Sequence, residues 1–213
     1  MIDKSLGEKF FEQLRPFFSE EGYVAYRVYN QFRKDTDGGF TNVIFSITHY
    51  HHELVIDCTF GSRINLVEET VMPFSNFVNG YKEESNTAIT NLAKFLDKPN
   101  FKLMINGTDS FNESVQFVKV FFQQHGFEFL EQLTQLKNVE RYFNANLKKA
   151  SLLAFNHQLR AFRGITLATV AQNPHWEELR KEYLILLRRY ATPEIIVDRF
   201  ERLSNHLAGM SLN

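Results

Sequence analysis

One cysteine, one tryptophan, five prolines and ten glycines are spread over 213 residues. Cys58 therefore has no partner for an intrachain disulfide, and proline and glycine are too sparse for a collagen-like or low-complexity chain. A lone cysteine fits a reducing, cytoplasmic setting. Neither charge sign dominates: 24 Lys and Arg oppose 25 Asp and Glu, a formal net charge of −1. That balance supplies no global field to draw in nucleic acid or an anionic membrane, so nucleic acid is not expected as a partner and any basic surface must be local. Long apolar runs are missing as well. The longest uncharged stretch, Gly38 to His52, is interrupted by Thr, Asn, Ser and His, which excludes a spanning helix there, and no membrane segment is expected. Asp3 and Glu8 flank a start without an apolar h-region, so no signal peptide is expected. A glycine-rich phosphate loop, a nucleophile elbow, a His-Glu-x-x-His helix and a Cys-x-x-Cys pair are all missing, which points away from the commonest enzyme chemistries.

Aromatic residues are plentiful: 22 Phe and 8 Tyr. Their spacing decides what they do. Leu6, Phe10, Leu14, Phe17 and Phe18 recur at helical period, with Ser5 and Glu8 at capping-box spacing, Gly22 as a stop and Pro16 set to bend or split the helix near Glu12. The period then falls to two. Val24, Tyr26, Val28 and Phe32 alternate with polar and small residues across Tyr23 to Phe32; Val43, Phe45 and Ile47 share a face, as do Leu54, Ile56, Cys58 and Phe60. Asp37-Gly38-Gly39 and Tyr50 to Glu53 provide the breaks, giving an antiparallel meander. Phe74 to Tyr81 extend or cross the sheet, Ala88 to Leu96 carry a helical stripe, and Phe101 to Ile105 form a short strand stopped by Asn106-Gly107.

Beyond that turn only helical periodicity is found. Ser110 and Glu113 repeat the capping-box spacing ahead of a helix stopped by Gly126; further helices run over about Glu128 to Gln135, Asn138 to Leu147 and Ala150 to Ala171, the last broken at Gly164. Asn173-Pro174 and Thr192-Pro193 open two more. The fold class is thus α+β: an N-terminal helix on a small antiparallel meander sheet, then an all-helical C-terminal half. Residues 1–107 form the helix-plus-sheet region, and residues 108–213 a helical region packed against it. The first part holds 11 basic and 14 acidic residues and the second 13 and 11, so near-neutrality conceals a mild charge contrast.

Three constellations are candidate sites. Between Arg141 and Trp176, Arg141, Lys148, Lys149, Arg160 and Arg163 are accompanied by no Asp or Glu, a net +5 that suits an acidic protein partner. In His49-Tyr50-His51-His52-Glu53, a strand persisting to His51 sets His49 and His51 on one face with Glu53 following, a spacing at which two imidazoles and a carboxylate can chelate Zn²⁺. Adjacent pairs such as Phe10-Phe11, Phe17-Phe18 and Phe121-Phe122 imply a wide buried stripe, with a Phe-lined ligand pocket as the alternative. Cys58 shares an apolar face and reads as core; Asp57, Glu68 and Glu69 read as ion-pair partners of Arg27, Arg33 and Arg63. The expected function is a non-enzymatic interaction or regulatory module with a protein partner and no cofactor. The alternatives are a metal-dependent hydrolase built on His49 to Glu53 and a small-molecule sensor with a Phe-lined pocket.

Overall fold

The computed structural model describes residues 6–75, 83–190 and 192–210. Its elements follow the α+β order: a helix, a six-stranded sheet with antiparallel pairing, then helices to the C-terminus, 56% helix and 19% strand in all. The capping signal at Ser5 and most of the Phe74 to Tyr81 segment lie outside the described residues; Met72–Phe74 form a single 3₁₀ turn around Pro73. None of the described helices is long and apolar enough to cross a membrane.

The chain divides into two compact units, Met1–Ser62 with Thr90–Gln132 and Arg63–Ile89 with Leu133–Asn213. In the first, α1 (Leu6–Glu20) runs unbroken through Pro16, whose ring lies on the exposed side while Phe10, Phe11, Leu14 and Phe18 are buried. Gly22, at a φ of +84°, ends it in a left-handed turn that L side chains resist. The strands are β1 (Val24–Tyr26), β2 (Gln31–Thr36), β3 (Gly39–His49), β4 (Leu54–Ile64), β5 (Ala88–Asn91) and β6 (Leu103–Ile105). Their order is β1-β2-β3-β4-β5, with β6 on β4. Register places Ala25 opposite Phe32 and Phe32 opposite Val43. Because opposed residues share a face, these meet α1, and Phe32 stacks on Phe11 and Phe18 at ring-centroid distances of 4.3 and 4.4 Å.

Two helices of this unit carry a correction. The stripe from Ala88 to Leu96 is a strand followed by the one-turn α3 (Leu92–Phe95), whose cap is Asn91: its Oδ1 accepts from the Lys94 N–H at 3.0 Å. Gly126 does not stop a helix. The chain passes from α4 (Thr108–Phe121) through a π turn (Phe122–Gly126) into α5 (Phe127–Gln132), and the Phe122 ring occupies the space a Cβ on Gly126 would need. Ser110 lies inside the first turn of α4, its Oγ accepting from the Gly107 N–H at 3.1 Å.

The second unit holds α2 (Asn65–Val71), α6 (Leu136–Asn144), α7 (His157–Val170), α8 (Trp176–Arg189) and α9 (Glu194–Met210). Its α7 is central: every residue from Arg160 to Ala168 is buried. The helix begins later than the apolar pattern predicts, at an Asn156 cap whose Oδ1 accepts from the Leu159 N–H at 2.7 Å. It also runs straight through Gly164, where the Tyr183 hydroxyl and the Asn144 amide fill the space beside the glycine.

Candidate functional site

Of the five basic residues in the acid-free stretch, Arg141, Lys148 and Lys149 are exposed, whereas Arg160 and Arg163 are each only 3% exposed. These two therefore leave the expected solvent-facing basic patch. Arg160 donates to the Phe143 carbonyl at 3.0 Å, the Asn146 carbonyl at 2.9 Å and the Lys149 carbonyl at 2.6 Å. It thus serves one carbonyl in the last turn of α6, Phe143, at the helix pole that favours a cation, and two in the segment that follows. Arg163 makes a bidentate pair with Glu68, Nε to Oε1 at 2.8 Å and Nη2 to Oε2 at 3.0 Å. The Ser85 hydroxyl donates to Glu68 Oε2 at 3.0 Å and accepts from Arg63 Nη1 at 2.9 Å. The acid missing from the stretch itself is supplied by α2, 95 positions away.

A second, partly buried chain of hydrogen bonds meets α7 at Gly164. Tyr183 donates to Asn144 Oδ1 at 2.7 Å, Asn144 Nδ2 donates to the Gly164 carbonyl at 3.0 Å and to Glu140 Oε1 at 2.9 Å, and Asn173 Nδ2 reaches the same Glu140 oxygen at 2.6 Å. Burial pushes the Tyr183 phenol well above its ordinary range, so it remains a donor. Glu68, Arg163 and Tyr183 have acid and base chemistry, yet each is 0–3% exposed and held by protein partners: Arg163 and Glu68 by each other, Glu68 also by Ser85, and Tyr183 by Asn144. The arrangement organises a core.

The expected sheet-face ion pairs have other partners. Arg27 pairs with Glu12 on α1, Arg33 with Asp35 at 2.7 Å while lying 3.9 Å over the Phe40 ring, and Arg63 donates to Asn65 Oδ1 at 2.8 Å. At the tip between β3 and β4, the Tyr50 N–H donates to the Glu53 carbonyl at 2.9 Å and closes the turn. His49, His51 and His52 are exposed there and Glu53 is half-buried. His49 ends β3 beside Gly7 and lines a cleft of ≈ 590 Å³ with Glu8, Glu12, Arg27 and Asn30, while His51 faces His52. Among the described residues, no three His, Cys, Asp or Glu side chains group to hold a metal ion.

The phenylalanines interlock. Phe18 meets Tyr23, Phe32, Phe45, Phe122 and Phe127, and Phe60 meets Phe95, Phe121, Phe122 and Phe129. An open groove of ≈ 650 Å³ runs past Phe117, Val120 and Phe121 with Leu96. Cys58 is enclosed, and burial raises its thiol well above the ordinary range, which leaves no reactive thiolate.

The feature that strand periodicity concealed lies between Tyr23 and Phe32. Instead of one strand, the chain forms a hairpin: β1, a four-residue tip Arg27-Val28-Tyr29-Asn30, then β2. The tip is a 3₁₀ turn closed by Asn30 in the left-handed region, φ 47° and ψ 44°. Asparagine tolerates that conformation, so Asn30 was the available signal. Val24, Tyr26, Val28 and Tyr29 are 60%, 40%, 89% and 58% exposed. Turn geometry asks for none of these apolar side chains, since hairpin tips ordinarily use Gly, Asn, Asp or Ser. β1 is also the edge of the sheet, with β2 its only strand neighbour among the described residues. No family, curated protein or solved structure matches the chain.

Proposed function

We propose that the protein is a non-enzymatic interaction module that engages a protein partner through the hairpin Val24–Tyr29 and acts in the cytoplasm. The observation that carries this reading is the exposure of two valines and two tyrosines within six residues on an open sheet edge. Solvent-facing apolar clusters of this kind mark contact surfaces, and tyrosine is among the residues that supply most binding energy. Backbone groups on the free side of β1 add strand pairing to the side-chain contacts. The single enclosed cysteine supports the reducing setting. Arg141, Lys148 and Lys149 remain a smaller basic surface suited to an acidic protein segment.

The test is a photo-crosslinking residue at position 28 in the full chain, expressed in its native cell, beside the same probe in a Tyr26→Ser/Tyr29→Ser background. Crosslinked protein species that vanish in the double variant, with thermal unfolding unchanged, are expected. An identical crosslinking pattern in both backgrounds overturns the reading.

A further inference from the structure

The hairpin edge has a geometry that suits one occupant in particular. Along β1, Tyr23 is buried, Ala25 stands opposite the buried Phe32, and Arg27 pairs with Glu12, so these three face α1. Val24 and Tyr26, opposite Arg33 and Gln31, project from the other face. An antiparallel strand added to this edge would pair with the β1 backbone in the plane of the sheet and set its own side chains beside Val24 and Tyr26 on that face.

Resting on the reading of Val24–Tyr29 as a contact surface, we infer that the partner is a second copy of this chain, paired β1 to β1 about a two-fold axis through Ala25. Antiparallel pairing of identical strands is isologous: Val24 of each copy faces Tyr26 of the other, giving two β-branched–aromatic cross-strand pairs from one contact. Charge agrees. Between Gly22 and Asn30 the only charged residue is Arg27, and Glu12 of the same chain pairs with it, so two edges approach without like-charge repulsion. The pairing covers both exposed edges at once, where an edge of apolar residues left open invites uncontrolled association. A ladder of three residues with two tip side chains is smaller than the roughly 800 Å² per partner of a standard interface, so the dimer is weak and depends on concentration.

Because Cys58 is enclosed, the thiol of Ala25→Cys, at a half-buried position on β1, is the one that mild oxidation reaches first among the described residues. Opposed Cβ atoms in an antiparallel pair lie about 4.5–5.5 Å apart, near disulfide range. Under mild oxidation Ala25→Cys should yield a linked dimer faster than Val120→Cys, whose position is exposed on helix α4 and lies on no strand. Sedimentation equilibrium of the full chain should show mass rising with concentration. Val24→Lys and Tyr26→Glu should each lose that rise, and mixing the two variants should restore it, since the ammonium introduced in one copy then faces the carboxylate introduced in the other. A wild-type chain that stays monomeric throughout, with Ala25→Cys linking no faster than Val120→Cys, overturns self-pairing. If that result comes with hairpin-dependent crosslinks to other proteins, the contact-surface reading stands and only the second copy falls; if those crosslinks also fail, both fall.

Discussion

In the first unit, Phe18 lies among Tyr23, Phe32, Phe45, Phe122 and Phe127, while in the second, Arg163 and Glu68 lie paired on α7 and α2. All the buried charged side chains among the described residues, Arg63, Glu68, Arg160 and Arg163, belong to the second unit. Two ways of filling an interior are thus combined in one chain. Ring packing is non-directional and loses stability in proportion to the atoms removed. A buried ion pair is directional: its partners offset each other's desolvation only when both are present, so removing one leaves a charge without compensation. The second unit should therefore be sensitive to chemistry where the first is sensitive to volume.

The largest expected effect follows directly. Glu68→Ala leaves the Arg163 guanidinium buried without its carboxylate and should cost about 3–5 kcal/mol, read as a lower midpoint in urea unfolding. Replacing both partners by apolar residues, Glu68→Leu with Arg163→Met, should recover most of that loss. Phe122→Leu in the first unit should cost under ~2 kcal/mol, because rings around it can close on the smaller side chain. A double variant as unstable as Glu68→Ala would show that the second core is not governed by charge pairing.

Next in size is Gly164→Ala. The added methyl meets the Tyr183 hydroxyl inside α7's packing and should cost about 1–3 kcal/mol, although alanine is the better helix former. Tyr183→Phe removes the nearest obstacle, the hydroxyl, while the ring carbon at 2.5 Å remains. The pair should be non-additive, with Gly164→Ala costing less in the Tyr183→Phe background than alone. Additive losses would mean that the Tyr183 hydroxyl is not what requires a glycine.

Alkaline pH tests the first unit. Tyr23 donates to or accepts from Thr41 Oγ1 at 3.0 Å, and burial pushes its phenol from 10.0 up to about 12. The sign follows from protons bound: between pH 10 and 12 the folded chain keeps a proton that the unfolded chain releases, so folding stability is whole below pH 10 and falls as pH rises through about 12. The slope is about 1.4 kcal/mol per pH unit for this group. Tyr23→Phe should flatten that part of the curve in alkaline unfolding experiments. An unchanged slope would assign the loss to other groups.

How much of this was legible in the sequence depended on range. Local periods revealed α1, the meander and the helical half, because a stripe such as Phe10, Leu14 and Phe18, or an alternation such as Leu54, Ile56 and Cys58, records which face is buried. Short elements escaped. Ala88 to Leu96 reads as a helix by spacing, and only the fold divides it between β5 and α3. Glycine was ambiguous for a physical reason: Gly22 ends a helix through its positive φ, whereas Gly126 and Gly164 sit within helical segments because a neighbour's ring or hydroxyl needs their space. Arg160 and Arg163 read as a basic surface since Arg160 is held by backbone carbonyls, which no residue type announces, and Arg163 by a carboxylate 95 positions away, outside the stretch.

The smallest effect on stability is expected where the proposed function lies. Val28 at 89% exposure and Tyr29 at 58% bury little, so Val28→Asp with Tyr29→Ser should change unfolding free energy by no more than about 0.5 kcal/mol. Asn30→Ala separates turn from contact: it keeps both apolar residues but removes the side chain suited to φ 47°, which should cost about 1 kcal/mol. If the tip were a structural feature, the Val28/Tyr29 pair would destabilise as much as Asn30→Ala. If it is a contact surface, the pair leaves the fold intact and loses association, while Asn30→Ala weakens the fold first.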